Sequence, residues 1–457
     1  MSQENLFSLL KENSPQLIAV FFGTLNALSD GMHFGWTAPT IPILEREDSP
    51  IKLTKNDIIY LEVFYVTFGI VGLPITIFLA DKIGRQKSVI VASSTSLFAW
   101  VLIGIGDRVE YFIVARCLVG VAADVAFVCS PMYIAEISHQ KIRGFLAGVI
   151  YTMVLIGVLT IYTIAPYTSI RVPPLVGGGV ILIQLAVFPF MPESPYYHLY
   201  KNNRISAEKS LQRLRGKEDV EDELEEISAA INRQKMERGR MFDLFLIGSN
   251  RKAIIIMIFL NCIQNMVGFA AILMNLHEIL IEAGATYLDS NISAIVFAAT
   301  MVAASLTGMV TVDKFGRKML YGISCVMSGI FLLIIAIFYH LKHAGYDVLV
   351  VAWIPLVFIM LFAAVFKFGI GIIPIVMTAE LFPARVKALG MTAADGVYVT
   401  FASLSLFIYQ ELNNSVGLHM SFYLFSFVAF SGLIFNAFLL PETKNKTLEE
   451  IQIMLKS

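Results

Sequence analysis

The chain has 457 residues, 57% of them hydrophobic and 15% charged, with a formal net charge of -1 and a mean hydropathy of +0.72. A soluble domain carries about 25% charged residues, so this chain has too little polar surface to cover a water-soluble globule of its size. Its charge balance gives no sign of nucleic-acid binding, and its four cysteines have neither metal-ligand nor CxxC spacing. Cys117, Cys129, Cys262 and Cys325 read as small packing residues inside apolar segments; no disulfide, metal or cofactor is expected.

The apolar residues come in blocks long enough to cross a bilayer, which takes about 20 residues at helical rise. In lipid every backbone group must be bonded internally, so the blocks are predicted helices. The opening stretch, Met1 to Gln16, is mixed polar with Glu4, Lys11 and Glu12, and the block after it carries Asp30 and His33 without a small-residue cleavage site. It is expected to stay as span 1 rather than to be removed as a signal. In chain order the spans are 17–41, 58–80, 88–106, 111–135, 144–165, 174–191, 253–280, 290–312, 319–341, 349–380, 388–410 and 418–440. The expected fold is an all-α membrane protein whose twelve transmembrane helices form two pseudo-symmetric six-helix bundles. The boundaries are 1–191 for the first bundle, 192–250 for a linker, and 251–457 for the second bundle and a short tail.

One set of loops is short and basic, with Lys82, Arg85 and Lys87, then Lys141 and Arg143, then Lys314, Arg317 and Lys318, then Arg385 and Lys387. The opposite set is acidic or mixed, as in Glu45-Arg46-Glu47-Asp48. Basic loops stay cytoplasmic, so both termini and the linker are expected in the cytosol and the plasma membrane is the expected location. In the linker, Ser206 to Gly216 and Asp219 to Arg238 read as short amphipathic helices on the inner membrane face or as a solvated tether.

The strongest signal is duplication. Asp81-Lys82-Ile83-Gly84-Arg85 recurs as Asp313-Lys314-Phe315-Gly316-Arg317, each after the second span of its half. Glu136 and Arg143 follow span 4 as Glu380 and Lys387 follow span 10, and Pro192-Glu193-Ser194 closes span 6 as Pro441-Glu442-Thr443 closes span 12. Parallel six-helix repeats are a known transporter plan with the solute between the halves. The glycine of Asp-x-x-Gly-Arg permits a tight turn between helices. The arginine then lies at the membrane surface beside carboxylates at neighbouring helix ends. One exposed ion pair is worth only about 0–1 kcal/mol, but a network of them is able to hold a gate in one state and part in the other. The plainer alternative is that these loops only enforce topology.

On these residues the chain resembles the sugar porter family of the major facilitator superfamily. The match runs through Asp81 to Arg85, Arg116 before Gly120, Pro131-x-Tyr133-x-x-Glu136, Arg143-Gly144, Pro192 to Pro195, Asp313 to Arg317, Ala379 to Pro383 and Pro441 to Lys444. Pro192 to Tyr197, with Gly35-Trp36-Thr37-Ala38-Pro39 in span 1, is most similar to the insect-type facilitated trehalose transporter branch. The resemblance implies alternating access and a hexose or disaccharide substrate. It also implies solute contacts at Gln264, Asn265, Tyr151, Tyr398 and Trp36. Here the chain departs from the family pattern: Tyr151 replaces a glutamine, Asn265 a second glutamine, Ala270 an asparagine and Ile375 a tryptophan. Sugar hydroxyls need matched amide donors and acceptors, and Gln264 with Asn265 still offers an amide fork.

Ionisable residues inside the spans are Asp30 and His33 in span 1, Arg116 and Asp124 in span 4, Lys367 in span 10 and Asp395 in span 11. Each costs at least about 2.5 kcal/mol at a lipid-facing centre, so all should face the bundle interior or the aqueous cavity. They either pair, Asp124 or Asp395 with Lys367 or Arg116, or titrate in proton coupling through Asp30 or Asp124. His277 and Glu278 read as a solvated rim, Gly69, Gly72 and Gly177 to Gly179 as helix-packing residues, and Asn291 and Asn413 as glycosylation sequons in outer loops. No nucleotide loop or nucleophile motif points to an enzyme. The expected function is facilitated diffusion of a small polar solute, a sugar by resemblance. The alternatives are proton symport and a non-transporting sugar sensor. The expected partners are that solute and the lipid bilayer, with no nucleic acid, and the chain is expected to act as a monomer.

Overall fold

The computed structural model describes residues 14–47, 49, 51–139, 143–236, 246–284, 289–382, 386–444, 446 and 448–456. The side chains of Arg143, Asp313 and Lys387, three of the expected gating residues, lie outside the described residues. All regular structure among the described residues is helical. Eleven helices there are long and apolar enough to cross a membrane; they correspond to spans 2 to 12, from Lys55–Lys82 to Leu418–Phe438. Large apolar side chains face outward, with Phe438 83%, Val350 76% and Leu175 74% exposed, while Gln16, Glu62, Arg116 and Gln184 are fully buried. That is the pattern of helices whose outer solvent is hydrocarbon.

Span 1 is not one continuous helix. It runs as Ser14–Gly23, Leu25–Gly35 and Thr37–Leu44. The Thr24 hydroxyl donates back to the carbonyls of Val20 and Phe21, at 2.9 and 3.0 Å, a local competitor of the helical ladder. Pro39 has no N–H for the carbonyl of Gly35, which breaks the chain at Trp36. Span 7 is interrupted as well, without a proline. It consists of Gly248–Met266, Phe269–Met274 and Leu276–Ala283, with Gly268 at φ +81° and a second break at Asn275. In span 10, Trp353–Phe368 gives way to Ile373–Leu381; Pro374 cannot bond the Ile370 carbonyl. Broken helices in transporters mark the places where backbone groups become available to partners.

The contacts group the chain into two units. One takes in the described parts of Met1–His33, Phe68–Val158 and Thr168–Arg238; the other takes in Phe34–Thr67, Leu159–Tyr167 and the described parts of Gly239–Ser457. The grouping departs from the halves read from sequence because one end each of spans 1, 2 and 5 packs with span 7.

The first unit is built on close approaches between small residues. A Cβ on Gly31 would lie 1.9 Å from the Val154 carbonyl oxygen, and one on Gly157 would lie 2.0 Å from that of Leu28. Spans 1 and 5 therefore touch backbone to backbone, the packing available where no hydrophobic force separates helix from lipid. Gly72 presses on Asp124 and Gly177 on Trp100 in the same manner. The linker contributes Pro195–Tyr200, Arg204–Arg215 and Glu221–Met236. Asn203 caps the second of these by accepting from the Ser206 amide at 3.1 Å, and left-handed Gly216 ends it. These helices share a small core of Ala207, Leu211, Leu224, Ile227 and Ile231. They dock on the unit through Gln16 Nε2 to the Leu214 carbonyl, 3.3 Å, and Arg215 Nη1 to the Ile137 carbonyl, 2.8 Å.

In the second unit spans 9 and 12, 9 and 10, 8 and 10, and 7 and 11 pack together. The pairs 9–10 and 9–12 repeat the 3–4 and 3–6 contacts of the first unit, as duplication requires.

Candidate functional site: two charge clusters and a buried polar triad

In the first unit, Gly84 turns the chain at φ +98° and the helix of span 3 starts at Arg85. Arg85 closes on Glu136, with Nη2 to Oε1 at 3.0 Å and Nε to Oε1 at 3.1 Å. The other oxygen of Glu136 accepts a short hydrogen bond from the Ser194 hydroxyl. Glu193 serves differently from the ion-pair partner expected of it. Its Oε1 accepts from the amides of Arg85, Gln86 and Ser194, at 3.2, 3.1 and 2.9 Å. It therefore caps the helix N-terminus, whose first amides lack helical partners and whose dipole favours an anion. Tyr197 completes the cluster, with its hydroxyl on the Lys82 carbonyl at 2.8 Å and its ring 5.6 Å from the Arg85 guanidinium. Asp81 stays exposed and forms no ion pair among the described residues.

The second unit contains the same arrangement. Gly316 turns at φ +88° and the helix of span 9 starts at Arg317. Arg317 Nη2 meets Glu380 Oε1 at 3.0 Å, and the Thr443 hydroxyl donates to Glu380 Oε2 at 2.5 Å. Glu442 accepts from the amides of Arg317, Lys318 and Lys444, at 3.1, 3.0 and 2.9 Å. Burial by itself pushes the Glu442 carboxyl up, but these three amides and the Arg317 guanidinium outweigh it, and its pKa lies below the usual glutamate value.

The expected solute contacts fall into two groups. Tyr151 and Tyr398 are about two-fifths exposed. Gln264 and Asn265 are buried, and their amide donors are engaged with backbone: Gln264 with Gly371 at 2.9 Å and Asn265 with Asn261 at 2.9 Å. Trp36 has no exposed surface, because the break it occupies is packed inside the second unit.

The membrane-embedded charges are likewise drawn inward. Arg116 donates to the His33 carbonyl at 2.5 Å, and the His33 ring stacks on Trp100 with centroids 3.6 Å apart. Asp124 accepts from Thr76 at 2.5 Å. Asp30 lines a small cleft with Asn26 and Ser96, and Asp395 is half-buried. Lys367 forms no ion pair among the described residues; its ammonium lies 4.5 Å from the centroid of the Phe269 ring, a cation–π contact in place of the expected carboxylate.

Two further expectations are corrected. His277 is buried rather than rim-exposed, with the Tyr162 ring edge-on at 5.2 Å. Asn291 and Asn413 lie inside helices rather than in loops: Ser290–Phe315 begins just before the first, and Lys387–Ser415 runs past the second to a stop at Gly417.

The sequence reading passed over Glu62. It is fully buried two turns into span 2, and its Oε2 accepts from Asn275 Nδ2 at 3.1 Å and Gln410 Nε2 at 2.7 Å. Gln410 also donates to Asn275 Oδ1 at 3.1 Å, which closes a triangle of spans 2, 7 and 11. The available signal was a carboxylate inside an apolar span, which is expensive unless it has a partner.

Comparison with known proteins agrees with this architecture. The chain is 27% identical over 443 residues to the facilitated trehalose transporter Tret1 of Anopheles gambiae, covering 96% of this chain and 55% of that protein. Against the Bombyx mori Tret1 the figures are 25% over 447 residues, 97% and 87%. Among solved structures, the Escherichia coli xylose transporter XylE in a partially occluded inward open conformation superposes with a TM-score of 0.79 at 19% identity, covering 95% of this chain and all of that one. The proton:xylose symporter XylE bound to 6-bromo-6-deoxy-D-glucose gives 0.76 at 21%, covering 97% and 100%. The model of the family described as "Sugar (and other) transporter" matches residues 64–455, and the chain belongs to that family.

Proposed function

We propose that this chain moves a sugar-sized polar solute, a hexose or a trehalose-like disaccharide, across the plasma membrane by facilitated diffusion. The basic loops and both termini lie on the cytosolic side in this reading. The observation that carries it is the twice-built cluster of arginine, glutamate and hydroxyl, with a second glutamate capping the arginine's helix. Each cluster braces the basic-loop ends of three spans in one half. Spans 3, 4 and 6 meet at Arg85, Glu136 and Ser194; spans 9, 10 and 12 meet at Arg317, Glu380 and Thr443. Braced halves move as bodies, which is what alternating access requires. Gln264, Asn265, Tyr151 and Tyr398 contact the solute, and Trp36 is left out because it is enclosed. That the Anopheles and Bombyx relatives are named for facilitated trehalose transport supports the choice of solute.

A second reading, proton symport, is favoured by Asp30 in its small, mostly apolar cleft and by Asp124 under Thr76. Uptake of labelled glucose and trehalose into vesicles, with and without a pH gradient, separates the two. Facilitated diffusion predicts saturable flux in either direction that ignores the pH gradient and survives Asp30→Asn. Symport predicts flux that follows the proton gradient and stops with that substitution. Monodisperse protein with no flux of either sugar would overturn both, and sugar binding without flux would mark a sensor. Gln264→Ala is expected to raise the half-saturating concentration; an unchanged value removes Gln264 from the site.

A further inference from the structure

The interruption of span 7 at Asn275 frees backbone groups that an unbroken helix would use. All three residues Leu273, Met274 and Asn275 are met by side chains from the first half of the sequence. The Tyr162 hydroxyl of span 5 donates to the Leu273 carbonyl, and the Thr37 hydroxyl of span 1 to the Met274 carbonyl at 3.3 Å. Glu62 of span 2 accepts from the Asn275 side chain, and Gln410 of span 11 binds both of them. Each of these residues sits at the end of its span away from the basic loops: Glu62 near the start of Lys55–Lys82, Gln410 near the end of Lys387–Ser415. Glu62 is fully buried, and Asn275 and Gln410 are 3% and 4% exposed. A carboxylate so enclosed needs its hydrogen bonds, and amide donors to a charged acceptor are the stronger class. The contacts of the other two spans to Leu273 and Met274 are between neutral groups.

We infer that Glu62 is the positioning residue of an outer latch: with Asn275 and Gln410 it holds span 2 of the first half against spans 7 and 11 of the second, and the latch opens once in every transport cycle. The inference rests on the alternating-access reading above, in which first-half and second-half helix ends part on the outer side to admit solute. Parting them strips Glu62 of both amide donors and hydrates it. Water replaces the lost bonds at small net cost, so the triad has two states of similar energy, as a switch requires.

The test reads the latch without reading sugar flux. Spin labels at Asn56→Cys and Val416→Cys, on exposed positions at the outer ends of spans 2 and 11, report their separation by pulsed dipolar spectroscopy. The protein is held in lipid nanodiscs with the four native cysteines replaced by alanine. Glu62→Ala is expected to raise the long-distance population about tenfold, the weight of one charge-assisted hydrogen bond. Glu62→Gln keeps an acceptor oxygen and restores part of the short distance. Gln410→Ala leaves the carboxylate in place and shifts the population the same way, which covers the case of a Glu62→Ala protein that does not fold. Distance distributions of Gln410→Ala and Glu62→Ala that match the unsubstituted protein overturn the latch, as does a Glu62→Gln protein as open as Glu62→Ala. Sugar uptake is measured on the same samples. Absent uptake with shifted distances overturns the sugar reading and leaves the latch; normal uptake with unshifted distances does the reverse.

Discussion

The Arg85 and Arg317 clusters share an arginine–glutamate pair, a hydroxyl and a capping glutamate, whereas the Glu62 triad has no second copy among the described residues. In both clusters a glycine at positive φ precedes an arginine that pairs with a glutamate at 3.0 Å. In both, a hydroxyl from the Pro-Glu-Ser or Pro-Glu-Thr motif bonds that glutamate, and the motif's own glutamate caps the helix that the arginine begins. The residue as far before Asp313 as Glu62 lies before Asp81 is Ala294, which carries no polar group. Machinery inherited by duplication is therefore paired, charge against charge, while the triad joins three spans through amides and has no template in the repeat. The difference separates two tasks. A cation–carboxylate pair with its remaining lone pairs satisfied makes a firm brace, and an amide–carboxylate triad makes a joint that water is able to replace.

The largest effect that would break the equivalence of the clusters comes from the arginines. Arg85→Ala or Arg317→Ala leaves a partly buried glutamate without its cation, a loss of about 1–3 kcal/mol once solvent access is allowed for. Initial sugar uptake at equal membrane expression is expected to fall tenfold or more in each, by amounts within about twofold of one another. A tenfold gap between the two would show that one cluster dominates.

The glycines sharpen the comparison next. Both adopt positive φ, where a side chain costs about 1–3 kcal/mol. A Cβ on Gly84 would meet the Glu193 carboxylate at 2.4 Å, and one on Gly316 the Glu442 carboxylate at 2.9 Å. Gly84→Ala should lower the thermal unfolding midpoint in detergent more than Gly316→Ala; the opposite order would mean that the Glu193 side chain moves aside easily.

Smaller still are the hydroxyls. Ser194→Ala and Thr443→Ala each remove one hydrogen bond to a carboxylate, about 1–2 kcal/mol. The exchanges Ser194→Thr and Thr443→Ser keep it and should shift the unfolding midpoint little. An exchange as damaging as the alanine would mean that packing, not the bond, distinguishes the two sites.

The smallest effect is the pH dependence of the cap. Glu442 titrates below its ordinary value in the folded chain. An acid with a depressed folded pKa contributes stability that is fully present above its unfolded pKa and is lost as pH falls through the folded one. Unfolding midpoints of the unsubstituted protein and of Glu442→Gln should therefore differ at neutral pH and converge below the usual carboxylate range. A constant gap across that range would remove the charge of Glu442 from the account.

Much of this was readable along the chain. Hydropathy located twelve spans, eleven of which are helices long and apolar enough to cross a membrane among the described residues, and three matched motifs placed the arginines, Glu136 and Glu380. The part of the clusters that escaped was the role of Glu193 and Glu442: an acid near an arginine suggests an ion pair, yet the nearest unsatisfied donors are backbone amides at the start of that arginine's helix. Trp36 and His277 were read as facing solute or solvent because their burial depends on packing partners distant in sequence, such as the Tyr162 ring against His277. Glu62 was missed because its partners stand 213 and 348 residues away.

By itself the sequence determined the membrane-spanning plan, the duplication and the paired clusters, since apolar run length and short motifs are local properties that lipid and tight turns enforce directly. Only the tertiary structure decided that span 7 breaks at Asn275, that spans 1, 2 and 5 bond to residues 273–275, and that a buried carboxylate rests between two amides. Those outcomes depend on which donor reaches which acceptor once helices pack through their small residues, and no local pattern encodes that.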